Sequence, residues 1–172
     1  MKRKIVFVSI LSVFMTVHAF AQSKNRAGLS GSVQGNQFGI SIPVWLSEKF
    51  VLAPVFDFKY AEKVGSDFSI GLAPRFYLRK EKLAPYFGLK LGTMINTPSK
   101  SSIYSDTKID YVGGIAFGAE YFITEIFSVG VEAQGNFTKS DKYSQRYGNP
   151  GGVNFNTATA VSATIYFSRA SD

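Results

Sequence analysis

Six charged side chains share one parity of the chain's alternating segments: Asp57, Lys59, Arg75, Lys90, Glu120 and Glu132. Three are acidic and three basic, and that set could serve two kinds of chemistry. Paired carboxylates can run acid/base catalysis when one is held protonated beside an ionised neighbour. The same six can instead neutralise one another inside a narrow space. The balance of signs favours this second reading, because stranding one partner of a buried ion pair costs about 3 to 5 kcal/mol. Parity alone does not say which acid meets which base.

A second group is basic and aromatic: Lys100, Tyr104, Lys108, Lys139, Lys142, Tyr143, Arg146 and Tyr147, all in polar connecting segments. As a contact surface it would offer charge-assisted hydrogen bonds to phosphates or to an acidic partner. As ordinary solvated loop it is offset by Asp106, Asp110 and Asp141, and this reading comes first. Composition removes other chemistry. There is no Cys, which excludes disulfides, thiolate metal sites, a cysteine nucleophile and a lipoprotein anchor, and the only His is His18. No cofactor and no metal are expected.

His18 belongs to a segment that does not stay. Lys2, Arg3 and Lys4 precede an apolar run from Ile5 to Val17, and Ala19-Phe20-Ala21 supplies the small residues a signal peptidase reads. Residues 1–21 are therefore expected to be a cleaved signal peptide and 22–172 a single mature domain. Cleavage lowers the basic residues from 19 to 16 against 12 acids, for a net charge of +4, and leaves no imidazole.

What positions the six charges is a period of two. From Gly113 to Phe137 the odd positions include Ile115, Phe117, Tyr121, Phe127, Val129, Val131 and Phe137, while the even ones from Gly114 to Glu120 and from Ser128 to Asn136 are Gly, Ala, Ser, Glu, Gln and Asn. Side chains alternate across a strand, so this span reads as two strands joined at Ile123 to Ile126. The polar face carries mostly small residues and few charges, which suits a cramped interior better than open water. The apolar face then points outward, toward lipid. The same zigzag recurs over Gly28 to Gly35, Phe38 to Leu46, Phe50 to Tyr60, Phe68 to Leu78, Leu83 to Met94 and Thr157 to Phe167, giving eight strands. No continuous apolar run after residue 21 is long enough for a membrane helix.

The connections alternate as well. They are short after the second, fourth and sixth strands and longer after the third, fifth and seventh, with Ile95 to Ile109 and Thr138 to Asn156 read as long loops. The first connection, at Asn36, breaks the pattern. Rings gather near both sets of connections: Trp45, Phe50, Tyr77, Tyr121, Phe127, Tyr166 and Phe167 at the turns, and Phe38, Tyr60, Phe68, Tyr111 and Phe137 at the loops. They are expected to form two interfacial girdles. Pro54 and Pro74 count against unbroken strands, since each removes a ladder donor.

With Ala84-Pro85-Tyr86-Phe87-Gly88-Leu89-Lys90-Leu91-Gly92, Gly118-Ala119-Glu120-Tyr121-Phe122-Ile123-Thr124 and Phe127-Ser128-Val129-Gly130-Val131-Glu132-Ala133, the chain resembles small OmpA/OmpX-like outer-membrane β-barrels of Gram-negative bacteria, especially the porin-family barrels of Bacteroidota. The resemblance implies an all-β fold, an eight-stranded antiparallel transmembrane up-and-down barrel in the cell outer membrane. It also implies contact with outer-membrane lipid and lipopolysaccharide, and reading of Tyr166 and Phe167 by the barrel-assembly machinery, although Ser168 to Asp172 follow them. Barrel enzymes of this size use an imidazole base, which the mature chain lacks.

Three functions follow in order: a monomeric, non-enzymatic barrel with a structural or surface-interaction role through its loops, a narrow porin-like channel for small solutes, or a soluble lipocalin-like periplasmic barrel binding an apolar ligand. Nucleic acid is not an expected partner.

Overall fold

The computed structural model describes residues 26–61, 65–79, 81–98, 106–144 and 147–167. The signal segment, Lys100, Tyr104 and Arg146 lie outside the described residues.

Nine hydrogen-bonded segments form eight strands: β1 (Ala27–Gln34), β2 (Gln37–Ser41 and Val44–Trp45), β3 (Phe50–Ala61), β4 (Gly65–Tyr77), β5 (Leu83–Pro98), β6 (Lys108–Phe122), β7 (Phe127–Lys139) and β8 (Val153–Phe167). The two segments of β2 keep one register against β3, Ser41↔Val55 and then Val44↔Leu52, so they are one strand interrupted at Pro43. Each strand pairs antiparallel with the next, and β8 returns to β1 from Ala27↔Phe167 to Val33↔Val161. Closure gives both edges of the sheet a partner along that stretch. Eight strands enclose a space that side chains can fill.

One end of the barrel carries tight turns. Ser47 Oγ accepts the Phe50 N–H at 3.1 Å, and Thr124 Oγ1 accepts the Phe127 N–H at 3.1 Å, so two of the three turns use the same hydroxyl device. At the opposite, loop end, β1 and β2 meet in a two-residue turn in which Gly35 adopts a φ of 59°, a conformation that costs a residue with a Cβ.

The two prolines are absorbed by local gaps. The β3–β4 ladder runs through both, Pro54↔Leu72 and Leu52↔Pro74, so their missing donors face the other neighbour. On that side β2 is interrupted opposite Pro54, where the Ile42 N–H reaches the Pro54 carbonyl at 3.0 Å. The β4–β5 ladder likewise passes from Leu72↔Leu91 to Arg75↔Gly88, leaving Ala73 and Pro74 unpaired. The register is kept across both gaps.

Alternation sorts the faces as the sequence predicts. Leu29, Ile40, Phe58, Ile70, Leu89, Ile115, Phe117 and Val131 are exposed on the outside, and Val51, Ala53, Asp57, Ala116, Glu120, Ser128 and Gln134 are buried inside. Two expectations need correction. Trp45, Tyr77 and Tyr166 do not join a girdle at the turn end; they are buried within the barrel, where they pack with Val51, Ala84 and Tyr86. Each sits on the inward parity of its strand, and the ring simply follows the pleat.

The long loops are also shorter than read. Residues 95–98 and 108–109 are strand, as are 138–139 and 153–156, because inward polar residues such as Asn96, Asp110, Thr138 and Asn156 continue the alternation past the apolar belt. The polar segment read from Ala61 to Asp67 is likewise trimmed, since β3 runs through Ala61 and β4 begins at Gly65.

Candidate functional site in the barrel interior

The interior is layered from the turn end upward. Its floor is aromatic: the Trp45 and Tyr77 rings lie 4.6 Å apart, Tyr77 and Tyr86 5.1 Å, and Phe122 and Tyr166 5.8 Å. Arg26 stands over the Tyr166 ring at 4.6 Å and covers the floor from the turn side. Gly118 makes room for this layer, since a Cβ there would fall 2.6 Å from the Tyr86 ring.

Set into the floor is Glu120. Its carboxylate accepts the Tyr77 hydroxyl at 2.5 Å, the Tyr166 hydroxyl at 2.7 Å and the Ser128 hydroxyl. Three donors converge on one buried carboxylate, which satisfies it without a cation in direct contact.

Above it Arg75 and Glu132 form an ion pair at 3.2 Å. Glu132 also accepts the Tyr86 hydroxyl at 2.7 Å and the Gln134 amide at 2.6 Å, and the Arg75 guanidinium lies 4.9 Å from the Tyr86 ring centroid. Asn136 donates in turn to Gln134 at 3.2 Å, so the inward residues of β7 from Glu132 to Asn136 are one hydrogen-bonded chain. The space beside this layer is a cavity of about 40 Å³, which holds little more than water.

Higher still, Lys90 meets Asp57 at 3.1 Å. Beyond them the interior widens into a vestibule of about 270 Å³ lined by Gln34, Gln37, Lys59, Asn136, Tyr147 and Asn156, among others.

Of the six interior charges, the structure therefore brings together Arg75 with Glu132 and Lys90 with Asp57. Glu120 takes hydroxyl donors instead of a base, and Lys59 lies in the vestibule with no ion pair among the described residues. No group of three or more His, Cys, Asp or Glu among the described residues is placed to hold a metal.

The loop group disperses. Lys108 and Lys139 stand on strands; Lys108 is 3.5 Å from Asp106 and 5.3 Å from the Tyr143 ring, and Lys139 donates to the Gly151 carbonyl at 2.6 Å. Lys142 and Tyr143 are exposed, while Tyr147 turns inward and its hydroxyl lies 3.6 Å from Met94 Sδ. The loop they share is pinned by Asp110, which accepts Asn96 Nδ2 at 2.8 Å, the Asp141 N–H at 2.8 Å and Ser144 Oγ at 3.0 Å. Asp110 reads from sequence as a loop charge. Its even parity, one step from outward Ile109 and Tyr111, is the signal that places it inside.

Such a barrel, apolar outside and polar within, is the architecture of small outer-membrane barrels. No protein-family model and no curated protein matches the sequence. Among solved structures, the chain is similar to the N-terminal β-barrel domain of Pseudomonas aeruginosa OprF, at 16% identity and a TM-score of 0.63 over 83% of this chain and 96% of that one. It is also similar to Neisserial surface protein A (NspA), at 13% identity and a TM-score of 0.59 over 83% of this chain and 94% of that one. The likeness is one of fold.

Proposed function

We propose that this chain is an integral, non-enzymatic outer-membrane β-barrel protein, exported through a cleaved signal peptide, whose role is structural or one of surface interaction at its loop end. The observation that carries the reading is the outer face. Val131, Leu89, Ile115 and Phe117 lie on the outside at mid-strand, each about half exposed or more. Water would penalise that surface, and hydrocarbon would not. A soluble lipocalin-like barrel would turn the same face inward.

The filled floor speaks against a channel, since Trp45, Tyr77, Tyr86 and Tyr166 pack together with Val51 and Ala84 across the turn end. Neither layer offers a reactive pair: Glu120 in the floor and Glu132 above it are each held by donors rather than poised beside an acid or nucleophile. At the loop end, Lys142 and Tyr143 are the exposed members of the contact group and the first candidates to meet a surface partner. Phe167 faces outward at the end of β8 while Tyr166 faces in, which makes Phe167 the ring available to assembly machinery.

The narrower likeness to Bacteroidota porin-family barrels rests on the Ala84 to Gly92 and Gly118 to Ala133 stretches. Fractionation with gel mobility tests the reading: the protein is expected in detergent-extracted outer membrane and to migrate differently before and after boiling. Recovery in the soluble periplasmic fraction would overturn it. Planar bilayers are expected to stay silent, and steady conductance would favour the narrow channel instead.

A further inference from the structure

The connection between β7 and β8 does not stand out from the barrel. Its described residues, 140–144 and 147–152, lean inward across β6 and reach β5. Tyr147 enters the vestibule, where its hydroxyl lies 3.6 Å from Met94 Sδ on β5, two strands away from β7. Beneath the connection Asn96, Asp110, Thr138, Ser140 and Ser144 are all buried, although an open mouth would leave polar side chains at that level wet. Asn96 Oδ1 is enclosed there with no hydrogen-bond partner among the described residues.

One carboxylate holds the arrangement. Asp110 is fully buried, and a charge so placed is costly unless donors surround it. Two of its three donors, the Asp141 N–H at 2.8 Å and Ser144 Oγ at 3.0 Å, come from the connection, and the third, Asn96 Nδ2 at 2.8 Å, comes from β5. The two loop donors bracket a tight turn in which the Ser144 N–H reaches the Asp141 carbonyl at 3.1 Å. At its tip stand Lys142 and Tyr143, the exposed members of the contact group. Tyr143 is fixed as well, with its N–H 2.8 Å from Asp141 Oδ1 and the Lys108 ammonium 5.3 Å from its ring centroid. The base of the connection is closed by the Ser140 N–H on the Gly152 carbonyl at 3.0 Å and the Gly151 N–H on the Asp141 carbonyl at 2.9 Å. Tyr147 lies between these two anchored stretches, so the exposed tip and the inserted ring belong to one hydrogen-bonded body.

We infer that the β7–β8 connection is a strap with Asp110 as its catch, and that it couples the exposed Lys142–Tyr143 turn to the vestibule. With the catch engaged, the turn is held rigid for contact and Tyr147 covers the β5 side of the vestibule. A partner that draws the turn outward must break the Asp141 and Ser144 bonds to Asp110, which lifts Tyr147 off Met94 and widens the vestibule. Linkage makes the effect reciprocal, so a solute that wedges between Tyr147 and Met94 loosens the turn. Asp110 is a positioning residue in both directions. Only the use of the turn by a partner rests on the proposed surface role; the strap and its catch do not.

The chain has no cysteine, so a single thiol can report on the vestibule. Ser69 lines it and stands opposite Met94 in the β4–β5 ladder. The mature barrel is folded in neutral detergent, each variant is checked by its gel shift on boiling, and two quantities are read. One is the rate at which Ser69→Cys reacts with a fluorescein maleimide; the other is amide hydrogen exchange over residues 140–152 by mass spectrometry. Without further substitution, the amides of Asp141, Tyr143, Ser144 and Gly151 are expected to exchange slowly despite lying in a connection. Asp110→Ala is expected to speed both exchange and labelling by about ten-fold, through loss of hydrogen bonds to a charged group that hold a local opening shut. Asp110→Asn, which keeps an acceptor for the Asp141 N–H, should restore most of the protection in both places. Tyr147→Ala should speed labelling while residues 141–144 stay slow to exchange.

Faster exchange with unchanged labelling in Asp110→Ala would overturn the coupling. Exchange as fast with Asp110 present as in Asp110→Ala would overturn the catch. If Asp110→Ala shows no gel shift, Ser144→Ala carries the same test with a smaller expected effect, about three-fold on both readouts. Recovery of the chain in the soluble fraction sinks the membrane reading without touching the strap, whereas unchanged exchange and labelling in a membrane-extracted barrel sink the strap alone.

Discussion

The two ends of the barrel interior solve the same problem differently. At the turn end the charges are locked: Glu120 takes three hydroxyl donors, Arg75 and Glu132 pair, and rings fill the remaining space. At the loop end the interior widens, Lys59 stands opposite Asp67 without an ion pair among the described residues, and β1–β8 pairing stops at Val33↔Val161. Since each lumenal charge must be neutralised or hydrated, the floor seals its charges with partners and the open vestibule leaves its charges to water. The difference begins in sequence, where the β1–β2 connection is two residues long while β7 and β8 are separated by residues 140–152.

Substitutions can break that comparison. The largest effect is expected at the floor. Arg75→Met, just above it, leaves the largely enclosed Glu132 without its cation and should cost about 3 to 5 kcal/mol in denaturant unfolding of the reconstituted barrel. Next comes the outer face. Val131→Arg should cost about 2 to 4 kcal/mol at mid-depth, while Phe155→Arg, near the loop end of β8, should cost only about 0 to 1 kcal/mol. Tyr166→Phe removes one of three donors to Glu120 and should cost about 1 kcal/mol, read as a shift of the unfolding midpoint at unchanged slope. The smallest effect is expected in the vestibule. Lys59→Met removes a partly exposed ammonium that makes no ion pair among the described residues and should cost roughly 0 to 1 kcal/mol. If Lys59→Met proved as damaging as Arg75→Met, the two ends would not differ as described.

Most of this architecture is legible in the sequence because a strand gives each side chain only two directions. Asp57, Arg75, Lys90, Glu120 and Glu132 fall inside by parity alone, and Val131 and Leu89 fall outside. What pairs with what is less legible, since the contacts depend on register between strands distant in the chain. Glu132 is met by Tyr86 and Arg75 from β5 and β4, and nothing local in the sequence announces either contact.

The aromatic floor was hidden for a different reason. Trp45, Tyr77 and Tyr166 lie close to turns, where rings on a membrane barrel are expected at the interface, and that expectation conflicts with their inward parity. Parity prevails because the pleat fixes direction, whereas position along the strand fixes only depth. The loop boundaries were obscured by composition, as Asn96, Asp110 and Asn156 look like loop residues but are the polar half of continuing strands. Pro54 and Pro74 become intelligible only with their neighbours in view, since the gaps that absorb them lie in β2 and in the β4–β5 ladder.

Everything turns on which face meets lipid, and the protein's single tryptophan makes that measurable. The barrel is reconstituted in phospholipid with brominated acyl chains, which quench only fluorophores they touch. Trp45, sealed in the floor, should be spared, whereas a Trp45→Phe, Val131→Trp variant should be strongly quenched. Quenching of Trp45 with no quenching of the fluorophore at position 131 would contradict the assignment of inside and outside.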